Sequence, residues 1–246
     1  MNMTLHALQA ALLLVFTAVA QQQNEVEITS EPSHHLAFSN AFVRVFDVSV
    51  ASKATTLVHR HNYDYLFVTL GDSDVTSARV GAAPAQLVLK NGEVRFTPGG
   101  FAHAAINNSD RIFRNITIEL LDSAKGEKPC TEACAIETNC KSADKSGCPT
   151  MRRLLSAEQW TVSSLLLPPG ATYEHHSSSG GHLAVAVSDL DLQMTPQGGA
   201  GAEVHKKIGD IAWHNPATRA LKNIGSKPAT IVYVEFNGAA PSSAPL

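Results

Sequence analysis

Along this chain, apolar residues come in short runs rich in Val, Ile, Leu and Phe, bounded by Gly, Pro, Asn or Asp. Apolar positions at every second residue put one face of an extended segment inside and the other outside, whereas a helix needs them three and four apart. The pattern predicts strands over Ala41–Val50, Tyr65–Leu70, Gln86–Leu89, Glu93–Phe96 and Phe113–Leu121. It predicts a second series over Trp160–Leu167, Leu183–Val187, Asp189–Met194, Asp210–Trp213 and Thr230–Phe236. Helical signal is confined to the apolar N-terminal stretch and a turn near Ser156–Gln159, so the reading is an all-β protein.

The two series also match one another. Gly92-Glu93-Val94-Arg95-Phe96 corresponds to Gly209-Asp210-Ile211-Ala212-Trp213, and Arg111–Leu121 has a counterpart in Lys227–Phe236. Asp64 with its following apolar run aligns with His182 and its own. Internal duplication explains this most simply, each half forming a small barrel. Between the halves lies a polar stretch holding all four cysteines, Cys130, Cys134, Cys140 and Cys148. The organisation expected is a signal peptide at 1–20, a first domain at 21–122, a Cys-rich connecting loop at 123–152 and a second domain at 153–246.

Composition narrows the partners. With 246 residues, 44% of them hydrophobic, the chain has apolar surface enough for real cores. A formal net charge of -3 offers no basic field for a phosphate backbone, which excludes nucleic acid as the expected partner. Ala7–Ala20 is nearly unbroken apolar sequence, short for a bilayer span, and Ala18-Val19-Ala20 before Gln21 fits a small-x-small cleavage site. Export to a secreted or periplasmic location is expected, with no membrane attachment after cleavage. Four cysteines in one short stretch suit two disulfides in such an oxidising compartment, and three pairings are open.

The chemistry concentrates between Val58 and Asn107. His59 and His61, separated by one residue, face the same side of a strand. A Pro98-Gly99-Gly100 turn brings His103 back beside them, so three imidazoles and the carboxylate of Asp64 form a plausible shell for one divalent transition metal: Fe, Mn, Ni, Cu or Zn. Asn62-Tyr63-Asp64 equally suits turn chemistry. Asn107-Asn108-Ser109 and Asn115-Ile116-Thr117 match the glycosylation pattern.

These residues resemble the two-part signature of the cupin superfamily. Gly92, Pro98, Gly100, His103 and Asn107 meet the spacing of its second part, and His59, His61 and Gly71 match its first. Asp64 stands in for the usual glutamate, one residue nearer the histidines, and the glycine that precedes His-x-His is absent. The resemblance implies a bicupin of two jelly-roll barrels, with metal ligands at His59, His61 and His103. Asp64 is then the fourth ligand, or three histidines and water hold the ion.

The second half departs further. His176-Ser177-Ser178 aligns with the His-x-His and Arg219 with His103, so a degenerate barrel is expected there, though His175, His176, His182, His205 and His214 are candidates for an unorthodox cluster. Arg219 pointing inward suits a carboxylate. Two classes of function stand: a metal-dependent oxidoreductase of dioxygenase type acting on a small organic molecule, and a non-catalytic small-molecule, sugar-binding or storage cupin. No lysine or second acid in the motif assigns a proton-transfer role. Cupins commonly dimerise through barrel edges, so the resemblance also implies a homodimer.

Overall fold

A computed structural model of the chain describes residues 24–121, 136–138, 147–176 and 179–238. The expected signal segment and Cys130, Cys134 and Cys140 lie outside the described residues, and with them the disulfide pairing. Cys148 is buried.

The first half runs through β1 (Val26–Glu27), a 3-10 turn (Ile28–Ser30), β2 (His34–Ser39), β3 (Val43–Val50), β4 (His59–His61) and β5 (Tyr65–Leu70). It continues through β6 (Ser73–Arg79), β7 (Ala85–Leu89), β8 (Val94–Thr97), β9 (Phe101–Asn107) and β10 (Phe113–Leu120). Two five-stranded sheets face one another, in the orders β1-β4-β9-β6-β7 and β2-β3-β10-β5-β8. The second half comprises β11 (Ile136–Thr138), β12 (Thr150–Ser156), β13 (Trp160–Leu167), β14 (Thr172–His176) and β15 (His182–Ala186), then β16 (Leu190–Pro196), β17 (Ala202–Lys206), β18 (Ile211–His214), β19 (Thr218–Asn223) and β20 (Ala229–Phe236). Its sheets are β11-β12-β13-β20-β15-β18 and β14-β19-β16-β17. Each half is a jelly-roll barrel, and no α-helix occurs among the described residues. Ser156–Gln159 is the tight connection between β12 and β13, closed by a bond from the Ala157 amide to the Trp160 carbonyl.

Strand alternation divides each central strand between two cores. In β3, Phe46, Val48 and Val50 point into the first barrel, while Val43 and Val45 point out of it. The outward set joins Leu66, Val68, Ile116 and Ile118, and packs against Val162, Leu183, Val185, Val232 and Val234 of the second barrel. Phe42 stacks on Trp213 at 5.6 Å and Phe96 on Trp160 at 5.7 Å across this junction. Each such buried side chain contributes about 1.5–3 kcal/mol relative to exposure, so the two barrels are held by a shared core rather than a tether.

The duplication is visible in the hydrogen bonds. The Gly92 amide donates to the Thr69 carbonyl at 2.8 Å and the Gly209 amide to that of Ala186 at 2.8 Å, each glycine at positive φ. Several strands escaped the apolar pattern: β6, β17 and β19 are polar or mixed and face solvent or a cavity on one side. The sheet of the second barrel also takes in Thr150–Arg152, placed by composition in the connecting loop, because Met151 ladders to Leu165 and packs on that barrel's inner core.

Candidate metal centre

Antiparallel pairing of β4 with β9 sets His59 directly opposite His103 and His61 opposite Phe101. Since His59 and His61 share a strand face, all three imidazoles enter the barrel together, and one donor nitrogen of each lies within 4.8 Å of the others. His61 Nε2 and His103 Nε2 are 3.2 Å apart. Two nitrogens each about 2.0–2.1 Å from a common ion, at angles between octahedral and tetrahedral, would be separated by roughly 2.8–3.4 Å. The spacing therefore fits a shared ion.

The outer contacts orient the donors. His59 Nδ1–H donates to the Leu57 carbonyl at 2.9 Å, which leaves Nε2 with a lone pair, buried and without a protein partner. His103 Nδ1 is held by Ser77 Oγ at 2.8 Å. The ring of Tyr65 stacks on His61 at 4.1 Å. Burial, followed by the neighbouring His34, lowers the His59 pKa to about 4, and burial with the charge on His59 lowers that of His103 to about 3. His61 is driven well below its usual value by burial first and His103 second. Three neutral imidazoles with converging lone pairs are a donor set suited to a borderline transition metal.

Asp64 does not join this group. Its Oδ1 accepts the Gly99 amide at 2.8 Å, tying the segment after His61 to the Pro98-Gly99-Gly100 turn. The carboxylate, one methylene shorter than glutamate and one residue early in the sequence, is held at the turn through Oδ1. The clustered donors are thus the three histidines, and Asp64 braces the loop that delivers His103.

Sequence reasoning missed a buried neighbour. His34, from β2, lies with its ring centroid 4.5 Å from that of His59. Its Nδ1 is 2.6 Å from Glu31 Oε2, and Glu31 also accepts the Ser33 amide at 2.7 Å and the Leu57 amide at 3.2 Å. Burial acts to raise the Glu31 pKa, but these bonds outweigh it and hold the carboxylate below its ordinary range. Glu31-Pro32-Ser33-His34 carries no motif, and only the 3-10 turn ahead of β2 swings the pair against the cluster. The imidazoles open onto a cavity of about 270 Å³ lined also by Phe67, Arg79, Arg95, Asn115 and Thr117. Both matches to the glycosylation pattern are structural: Asn107 and Asn115 are buried, and the Asn107 amide donates to the Val50, Ala51 and Arg111 carbonyls.

In the second barrel the register shifts the alignment by one residue. His175, not His176, stands opposite Arg219, as His59 stands opposite His103. Asn223 caps Leu167 and Lys227 as Asn107 caps Val50 and Arg111. His182 pairs with Glu235 and His214, which makes it the counterpart of Tyr65, paired with Glu119 and Thr97, rather than of Asp64. His175, His182 and His214 meet inside the barrel, whereas His205 sits on the surface bonded to Asp191 and His176 is exposed.

No family model matches the sequence, and no curated protein matches it. Solved structures share the architecture at low identity. Procruciferin, an 11S globulin from Brassica napus, superposes with a TM-score of 0.59 at 9% identity over 80% of this chain and 76% of that one. The Bacillus subtilis oxalate decarboxylase, studied for its Mn(II) centres, gives 0.55 at 10% identity over 80% and 69%. A Cupin 2 conserved barrel domain protein from Leptotrichia buccalis gives 0.52 at 9% identity over 83% and 88%.

Proposed function

We propose that this chain, whose fold is that of the two-barrel cupins, is an exported, metal-dependent oxidoreductase acting on a small anionic organic molecule in its first barrel. The observation that carries the reading is the convergence of neutral His59, His61 and His103 beside a cavity of about 270 Å³. That volume is just below the range of ordinary ligand pockets, about 300–1,000 Å³, which favours a substrate of few heavy atoms. Arg79 and Arg95 line the same space and suit a carboxylate or enolate.

A transition ion held by three imidazoles would supply Lewis-acid or redox chemistry at its open positions. The chain's own contribution is placement. Phe67, Val75 and Leu87 line the wall and exclude water, and Arg79, its guanidinium carbon 3.8 Å from the Phe101 ring centre, orients the anionic end. The Glu31–His34 pair offers a site for a proton at His34 Nδ1, shared with Glu31 Oε2. Export and two disulfides in the Cys-rich stretch complete the proposal and rest on the sequence alone.

A second reading, a binding cupin without turnover, is favoured by one observation: Asp64 Oδ1 is engaged with the Gly99 amide, and the clustered donors are the three histidines alone. Elemental analysis of the untagged protein, followed by oxygen-uptake assays with small enolic and carboxylic compounds, separates the two. Stoichiometric redox metal with uptake that vanishes in His59→Ala supports the enzyme. Bound metal without turnover on any such compound, or no metal at all, supports the binding protein.

A further inference from the structure

We propose that the second barrel binds its own divalent transition-metal ion through His175, His182 and Glu235, a ligand set drawn largely from positions that the first barrel uses for other purposes. Of the first-barrel ligand positions, only that of His59 is retained, by His175. Arg219 takes the position of His103, so the same three-histidine shell is impossible there. The strands behind it compensate. His182 occupies the place of Tyr65 and Glu235 that of Glu119, on the adjacent pair β15 and β20. Because the pair is in register, both side chains emerge on the same face.

The donors lie as a site requires. One atom each of His175, His182 and Glu235 falls within 4.8 Å of the others. His175 Nε2 is 3.3 Å from Glu235 Oε1, an ion-pair distance that lacks hydrogen-bond alignment, and both ring nitrogens of His175 are buried without a hydrogen-bond partner. A buried imidazole with two unsatisfied nitrogens calls for a partner other than protein. His214, its ring centroid 5.0 Å from that of His182, flanks the group, and Tyr233 stacks on His175 at 4.5 Å.

Size selects the ligand. The cavity here is about 70 Å³, the share of roughly two waters in the liquid, so it admits an ion with its water but no organic substrate of the kind the first barrel can hold. Two imidazoles and one carboxylate with an open position is a donor set for Zn²⁺. Arg219 lines the same cavity, bonded to the Asn215 carbonyl at 3.2 Å, and favours a hydroxide or small anion over neutral water as the fourth ligand.

The site is independent of the first-barrel reading, and one experiment separates them. The full mature chain is stripped with chelator, reloaded with Zn²⁺ or Co²⁺ alone, desalted and counted by elemental analysis, with circular dichroism confirming the fold. Two equivalents are expected in the wild type, one in His103→Ala, one in Glu235→Gln and none in the double variant. Glu235→Gln is nearly isosteric at a partly exposed side chain and preserves packing; His182→Asn provides a second variant expected to lose the same equivalent. A single wild-type equivalent lost in His103→Ala and kept in Glu235→Gln overturns this site while leaving the first. A single equivalent kept in His103→Ala and lost in Glu235→Gln supports this site and overturns the first. Two equivalents in both Glu235→Gln and His182→Asn overturn the assignment.

Discussion

His61 Nε2 and His103 Nε2 stand 3.2 Å apart inside the first barrel, although 42 residues separate them in sequence. That approach exists because β4 and β9 are paired antiparallel, with His59 opposite His103. Replacing His103 by Ala removes one donor outright, and the ion is then held by two. Metal affinity is expected to fall by more than the 10–100-fold typical of losing an outer contact, with stoichiometric metal lost from the first barrel in elemental analysis. Ser77→Ala removes only the bond to His103 Nδ1 and is expected to weaken affinity by about 10–100-fold, read by competition with a chelator.

Asp64→Asn is the informative change at the motif's carboxylate. An amide oxygen still accepts the Gly99 N–H, so first-barrel metal stoichiometry should be unchanged and stability should move by under about 1 kcal/mol. Asp64→Ala leaves that amide unmet and should cost about 1–3 kcal/mol in denaturant unfolding, again with metal retained. Loss of metal in Asp64→Asn would restore Asp64 to the ligand set.

Gly99 is required by contact, not by its backbone angle. A Cβ there would sit 2.4 Å from the Tyr63 carbonyl carbon and oxygen and 2.9 Å from the Asp64 amide, all backbone atoms that cannot rotate away. Gly99→Ala is expected to destabilise the protein by about 1–3 kcal/mol and to shift the strand that carries His103. Urea unfolding and metal content measure the two effects together; an unchanged midpoint would contradict this packing.

Metal-free protein should lose stability on acidification. The unfolded chain takes up protons at its histidines near pH 6.5, whereas His59 does so near 4, His103 near 3 and His182 near 2 in the folded state. Between those values the unfolded state binds more protons, so stability rises with pH there and is lost progressively from about pH 6.5 downward. Melting temperatures of chelator-treated protein at pH 7 and pH 5 test the sign, the lower value being expected at pH 5. Loading with metal adds a second loss over the same window, since protons compete for the donor nitrogens.

The alternation of apolar residues determined by itself that the chain is all-β, because strand side chains have a period of two whatever lies beside them, and the matching of Gly92–Phe96 with Gly209–Trp213 showed the duplication. Tyr65–Leu70 and Trp160–Leu167 fall where the pattern puts them, since most of their side chains are buried and the signal is strong. His59, His61 and His103 were legible as one group, because an i, i+2 pair and a Pro-Gly-Gly turn dictate local geometry. What lay beyond local geometry was decided only by pairing register and packing. Register moved the His59 counterpart from His176 to His175, a one-residue shift that turns a side chain from solvent to barrel interior. Packing turned Asp64 to the Gly99 amide, brought Glu31 and His34 against the cluster, and set His182 beside Glu235. None of these contacts has a sequence signature, because each joins residues whose proximity exists only once the sheets have closed.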